Sequence, residues 1–351
     1  MEQPVLSAPT ESAAEPPPLQ IMRLGLGYQA TALVATFTRL GLPDHLADGP
    51  RKVDELAALS GAHPVSLLRF LRAVAAFGLC DIIEGHTFAP TPLSECLRSG
   101  PNSLRGFAMG MGQVGHLRPF EHLYTGVMEN RPVAKDALGM EMWEYYDTHP
   151  ETRATLTAHL DEVTAMVAPL VAKNFDLSRF TRIVDVGSNE GHFLAAILQA
   201  APQATGVLFD RPEVMDAARA NMDERGLSDR VEFVGGDFRS EVPAGGDLYL
   251  LKGIMHDWDD EPAGRILANC HRAGQPGSTL LSLEGIVRDQ PPLEPMVHLI
   301  DLAMLLLVGG RERTRAEFDA LFGNAGYRID NVVPLPMLPY FPYHIIEAKR
   351  Q

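Results

Sequence analysis

The sequence has little cysteine, no surplus of basic residues and no long apolar run. Its three cysteines, Cys80, Cys96 and Cys270, are spread over 351 residues. That is too few and too scattered for a disulfide framework or a zinc site with paired-ligand spacing, so they read as reduced, mostly buried thiols and no metal is expected. Lys and Arg total 30 against 45 Asp and Glu, a formal net charge of -15. With no positive charge to spare for phosphates or anionic lipid, nucleic acid and membrane surfaces are poor partners. The longest uninterrupted apolar run, 302–308, is far shorter than the ~20 residues a span requires. The N-terminus carries Glu2, Glu11 and Pro16-Pro17-Pro18 rather than a basic stretch followed by an apolar one, so no secretory signal is expected. A soluble, cytoplasmic protein is the expectation.

Hydrophobic residues at 46% and charged residues at 21% are ordinary globular values, and the length suits about two domains. Residues 1–18, rich in Pro, Ala, Glu and Ser, read as a mobile tail. From 22 to 46 apolar positions recur at helical spacing through Ala30, Leu33, Val34 and Phe37. Two short amphipathic helices follow at 53–59 and 65–77, then two apolar segments bracket Glu84-Gly85 like a hairpin. Helix, turn, helix and hairpin make a winged-helix pattern over 19–100. A DNA reader would present base-reading side chains from the second helix, whereas Val65-Ser66-Leu67-Leu68-Arg69-Phe70-Leu71-Arg72 offers two arginines within an apolar surface. Such a surface points to packing against another subunit. Residues 101–178 continue as helical material, with Met111, Met140 and Met142 as gap-fillers or pocket lining.

From 179 to 351 strands and helices alternate, the signature of a parallel sheet covered on both faces. Strands are expected at 183–187, 205–210, 231–234, 247–252 and 279–284, with a closing hairpin of 327–333 and 343–348. In such a sheet ligands bind at the carboxyl ends of the strands, where the strand order reverses. Four polar features fall there. Asp185-Val186-Gly187-Ser188-Asn189-Glu190-Gly191 is a strand-to-helix turn whose glycines let backbone approach a ligand. Asp210 ends the second strand, where a carboxylate can accept both ribose hydroxyls; these two features alone fit a dinucleotide as well. Gly236-Asp237-Phe238 pairs an acid with an aromatic, suited to an adenine amine and ring. Lys252-Gly-Ile-Met-His-Asp-Trp-Asp-Asp260 places His256 just past strand four. A phenol of pKa near ~10 needs such a base before it can attack a sulfonium methyl group. Asp257, Asp259 and Asp260 read as acid enriching a helix N-terminus rather than as cation ligands.

With the His256-Asp257-Trp258 element and Gly309-Gly310-Arg311-Glu312-Arg313-Thr314, residues 20–350 resemble the class I S-adenosylmethionine-dependent small-molecule O-methyltransferases, of the dimeric caffeate and hydroxyindole type and its bacterial natural-product relatives. The resemblance implies an α/β, Rossmann-like catalytic domain behind an N-terminal, mostly helical, winged-helix-like dimerisation domain. It implies a homodimer, S-adenosyl-L-methionine as cofactor and an aromatic small molecule as substrate. Carried over residue by residue, Gly187 lies against the donor's methionine part, Asp210 holds its ribose, Asp237 and Phe238 its adenine, and Lys252 also contacts it. His256 is the general base and Glu284 and Glu312 assist it, one orienting the base and the other the substrate. This chain departs from the family pattern at Ser188 and Asn189, which stand where the second and third glycines of the loop are expected. Asn tolerates positive φ, so the turn is expected to survive, but the asparagine side chain is expected to crowd the methionine part. The departure keeps a second reading open, the same fold and cofactor in hydroxylation, decarboxylation or pericyclic chemistry. A third is a winged-helix regulator with a ligand domain.

Overall fold

The computed structural model describes residues 16–100, 102–335 and 343–351. Most of the expected tail, residues 1–15, lies outside the described residues, and a helix, Pro17–Gly25, already begins within the stretch up to residue 18. The chain divides into two compact units, with the boundary between Arg98 and Ser99.

In the first unit the helix expected over 22–46 is three pieces, Pro17–Gly25, Gly27–Arg39 and Leu42–His45. Leu26, with ψ of 0°, makes one break, and Gly41, left-handed at φ 67°, makes the other. Helices Val53–Ser60 and Pro64–Ala76 follow, separated by the left-handed Gly61. Three short antiparallel strands, β1 (Arg51–Lys52), β2 (Asp81–Ile82) and β3 (Thr87–Ala89), pair in the order β1-β3-β2. Phe37, Leu56, Leu71, Val74 and Phe88 are fully buried here, and no residue of Pro17–Gly25 is.

The second unit opens with six helices between Arg105 and Asn174, the longest being Pro150–Asn174. Arg105–Met111 crosses this helix so closely that a Cβ on Gly106 would sit 2.6 Å from the backbone nitrogen of His159. Glu162 accepts from the N–H groups of Gly106 and Phe107 at 2.6 and 3.0 Å, which caps the shorter helix. Met142 is 2% exposed against Ala134, Tyr145, Ala303 and Leu307, with Met140 packed on the group, so both fill a core; Met111 is half-buried.

Strands β4 (Arg182–Val186), β5 (Thr205–Asp210), β6 (Val231–Gly235), β7 (Leu248–Lys252), β8 (Thr279–Val287), β10 (Tyr327–Pro334) and β11 (Tyr343–Arg350) form one sheet in the order β10-β11-β8-β7-β4-β5-β6. A short strand, β9 (Arg313–Thr314), pairs in parallel with the last residues of β8, Ile286 and Val287. Neighbouring residues divide between the faces, as period two requires: Ile183, Leu208 and Leu250 join one core with helix His192–Ala200, while Val184, Val207 and Tyr249 join the other with Phe318 and Phe322. The chain runs β4, β5, β6 to one side and then returns to lay β7 and β8 on the other side of β4. The crevice above the β4–β7 boundary is therefore the switch point. β11 runs antiparallel between β8 and β10, so its first residue, Tyr343, stands at the same edge as the carboxyl ends of β7 and β8. No helix among the described residues is long and apolar enough to cross a membrane.

Candidate active site

All eight residues singled out in the sequence lie at or just beyond the carboxyl ends of β4 to β8 or in the 309–314 segment that borders them. After β4 the loop turns through Gly187 at φ 76°, Asn189 at φ 49° and Gly191 at φ 79° before helix His192–Ala200. Asn189 thus takes the left-handed conformation expected of a glycine, at the small cost asparagine carries there. The turn is closed by Gly191 N–H to the Ser188 carbonyl at 2.9 Å and tied to β5 by Gly187 N–H to the Phe209 carbonyl at 2.9 Å. Ser188 is buried and its Oγ has no partner. A Cβ on Gly187 would meet the end of the Ile254 side chain, and its φ of 76° is the conformation that favours glycine.

Asp210 accepts from Asn189 N–H at 2.7 Å and from Arg211 N–H at 2.6 Å, one bond to each oxygen. Burial raises its pKa against the lowering effect of those two bonds. Asp237 accepts from Arg239, its Oδ1 from the backbone N–H and Nε and its Oδ2 from the guanidinium, the shortest contact being 2.8 Å, and the side-chain bond holds its pKa down. The Phe238 ring meets Trp258 edge-on at 6.1 Å, and Trp258 packs on the second core. Lys252 is enclosed; burial lowers its pKa, opposed by the charges of Asp185, Asp161 and Glu284. Asp185 is 2% exposed, its Oδ2 has no partner, and burial pushes its carboxyl up to about 7.

His256 sits in the one-turn helix Met255–Asp257, and its Nδ1 lies 2.8 Å from Glu312 Oε1. Glu284 makes no bond to the ring. It is fully buried, and its Oε1 accepts from the N–H groups of Ile254 and Met255 at 3.1 and 2.9 Å. One glutamate thus orients the imidazole while the other fixes the turn that carries it. Donor atoms of His256, Glu284 and Glu312 lie within 4.8 Å of one another, and no other such trio of His, Cys, Asp or Glu exists among the described residues. The expectation for the three aspartates needs correction at one position. Asp259 and Asp260 do stand at the start of helix Asp260–Ala273, whereas Asp257 turns back, its Oδ1 3.7 Å from His256 Nε2. The helix starts after a break at Trp258, which leaves Asp257 outside its first turn.

Sequence reasoning missed Arg313. It is fully buried, and its guanidinium donates to the carbonyls of Met255 and Trp258 at 2.9 and 2.8 Å and to Asp260 Oδ1 at 2.9 Å. Arg311 N–H reaches the His256 carbonyl at 2.9 Å, and a Cβ on Gly310 would run into that same carbonyl. The 309–314 segment therefore grips the His256 turn by side chain, backbone and close approach at once. The resemblance pointed only to its glutamate; an arginine bonding carbonyls leaves no signature in one sequence.

An O-methyltransferase domain model matches residues 120–328, and an O-methyltransferase dimerisation domain model matches 22–100. The chain belongs to the O-methyltransferase family. A phenazine O-methyltransferase of Lysobacter antibioticus is 36% identical over 316 residues, 90% of this chain and 92% of that one. An 8-amino-8-demethylriboflavin N,N-dimethyltransferase of Streptomyces davaonensis is 33% identical over 93% of this chain and 94% of its own. An O-methyltransferase from neocarzinostatin biosynthesis, solved with S-adenosylmethionine and 2-hydroxy-5-methyl naphthoic acid, superposes with a TM-score of 0.79 at 28% identity, covering 92% of this chain and 96% of that one.

As a member of this family, the chain is a methyltransferase whose cofactor is S-adenosylmethionine. The residues present fit that group. Each Asp210 oxygen spends one lone pair on a backbone N–H and keeps another for a diol. Ser188 Oγ and Asp185 Oδ2 are buried polar atoms without partners at the same crevice, which a polar ligand would satisfy.

Proposed function

We propose that this methyltransferase moves a methyl group to a hydroxyl, phenolic in class, of an aromatic natural product, with His256 as general base. The observation that carries the reading is the 2.8 Å bond between His256 Nδ1 and the buried Glu312 carboxylate. In the neutral ring Glu312 keeps the proton on Nδ1, so Nε2 carries the lone pair and is the atom that takes the acceptor's proton. When the ring becomes an imidazolium, Glu312 and Asp257 stabilise it from opposite sides. Glu284 holds the turn still, which matters because a misplacement of about 1 Å can cost on the order of a hundredfold in rate. Bound in the crevice, the cofactor supplies an electrophilic methyl group on a sulfonium.

In this reading Asp210 holds the ribose, Gly187 flanks the methionine part, and Phe238 covers the adenine ring. Asp237 accepts the adenine amine in place of its longest Arg239 contact, Nε to Oδ2 at 3.2 Å, and Lys252 contacts the donor beside Asp185. The neocarzinostatin relative's naphthoic acid and the Lysobacter relative's phenazine support a fused aromatic acceptor. The riboflavin relative supports an amine as the second reading, and a built base favours the weakly acidic hydroxyl. A panel of hydroxynaphthoic acids, hydroxyphenazines and their amino counterparts, scored by S-adenosylhomocysteine release, separates the two. Turnover confined to the amines would overturn the hydroxyl assignment.

A further inference from the structure

The topology brings Tyr343 to the base. It is the first residue of β11, and the antiparallel register pairs it with Gly285, one residue past Glu284 at the end of β8. That glycine leaves room at the pairing: a Cβ there would come within 2.8 Å of Glu312 Oε2. The ring then reaches toward β7. A Cβ on Gly253 would lie 3.5 Å from the Tyr343 hydroxyl and 3.4 Å from His256 Nε2, so the two polar atoms border the same small space. Gly253 holds that space open, with φ at 61°. Burial and then the charges of Glu284, Glu312 and Asp257 push the Tyr343 phenol up, so the hydroxyl keeps its proton among three carboxyl groups.

We propose that Tyr343 is a positioning residue for the base, its oxygen accepting the hydrogen of His256 Nε2–H while the ring is an imidazolium and leaving Nε2 to the acceptor's hydroxyl when the ring is neutral. This rests on His256 being the base. A hydroxyl has two acceptor lone pairs and one donor, so it can give its proton to a carboxylate and still receive one from the ring. Glu312 binds the imidazolium at Nδ1, Tyr343 at Nε2, and Asp257 lies 3.7 Å from the same Nε2. The acceptor's oxygen exchanges with the tyrosine's at Nε2 as the proton arrives.

The test is the titration of His256 by NMR in the full-length protein, with the ring signals assigned by their loss in His256→Ala. It needs no acceptor. Tyr343→Phe keeps the ring and removes the hydroxyl; the His256 midpoint should fall by about half a pH unit or more, because the imidazolium loses an acceptor. If that variant does not fold, 3-fluorotyrosine at 343, a weaker acceptor, must move the midpoint in the same direction. A midpoint unchanged in the folded variant overturns the proposal. Failure of the base assignment is distinguishable, since it shows as undiminished turnover in His256→Ala whatever the midpoint does.

Discussion

At His256 two effects compete, and the chain contains the control. His116 and His159 are enclosed in the same unit, and burial pushes each down to about 4. Burial acts the same way on His256, but the charge and hydrogen bond of Glu312 and the charges of Asp257 and Glu284 overcome it and carry the ring up to about 10. Three carboxyl groups therefore outweigh desolvation. The working form of a base is the unprotonated one, so a raised pKa makes turnover climb with pH through the neutral range. Glu312→Gln removes the largest raising charge. We expect its rising limb to move to lower pH while kcat falls about 10–100-fold, since the tautomer is no longer fixed. A pH–rate profile of that variant superposing on the wild type would show that Glu312 does not act on the ring. His256 was singled out in the sequence by its place just past strand four, and Glu284 and Glu312 by the family resemblance. The division of labour between the glutamates was not legible, because it depends on which oxygen reaches which N–H across the fold.

At the scale of elements, the glycine loop shows how a departure from pattern is absorbed. Asn189 adopts φ 49° and still offers its N–H to Asp210, so the turn keeps its shape with two glycines fewer, only one of them at a position of positive φ. Asn189→Gly should leave affinity for S-adenosylhomocysteine within about a factor of three, as the backbone is already where glycine would put it. Calorimetric titration checks this, and a tenfold gain would mean that the side chain obstructs the donor. Arg313→Met should loosen the His256 turn, leaving the Met255 and Trp258 carbonyls without donors at about 1–3 kcal/mol each. Thermal unfolding and kcat should fall together. Strands β4, β5 and β7 and helix His192–Ala200 could be read from the sequence because each is a long apolar stretch between turn signals. β1 and β9 could not, being two residues long and Arg-Lys and Arg-Thr in composition. The left-handed Gly41 interrupts a helical period that the apolar spacing alone carries straight through.

At the scale of the whole molecule, helix Pro17–Gly25 has no buried residue and exposes Leu19, Ile21, Met22 and Leu24, with Ile21 at 70% and Leu24 at 69%. An apolar face of this kind is costly in water and is expected to be covered. The match of 22–100 to a dimerisation domain says by what kind of partner. A second copy of the chain is the expected cover, and Ile21→Asp with Leu24→Asp should shift the protein from dimer toward monomer in sedimentation experiments. A dimer unaffected by both charges would place the interface elsewhere. Composition and charge made nucleic acid a poor expected partner for the helix, turn, helix and hairpin, and residues 22–100 match an O-methyltransferase dimerisation domain.

Methyl transfer driven by His256 is tested most directly by single-turnover assays of wild type and His256→Ala with S-adenosylmethionine and a hydroxynaphthoic acid that the wild type methylates, with donor affinity measured on both proteins. The expected result is equal affinity and a rate lower by about 10²–10⁴ in the variant. Equal affinity with a rate within threefold of wild type would contradict it.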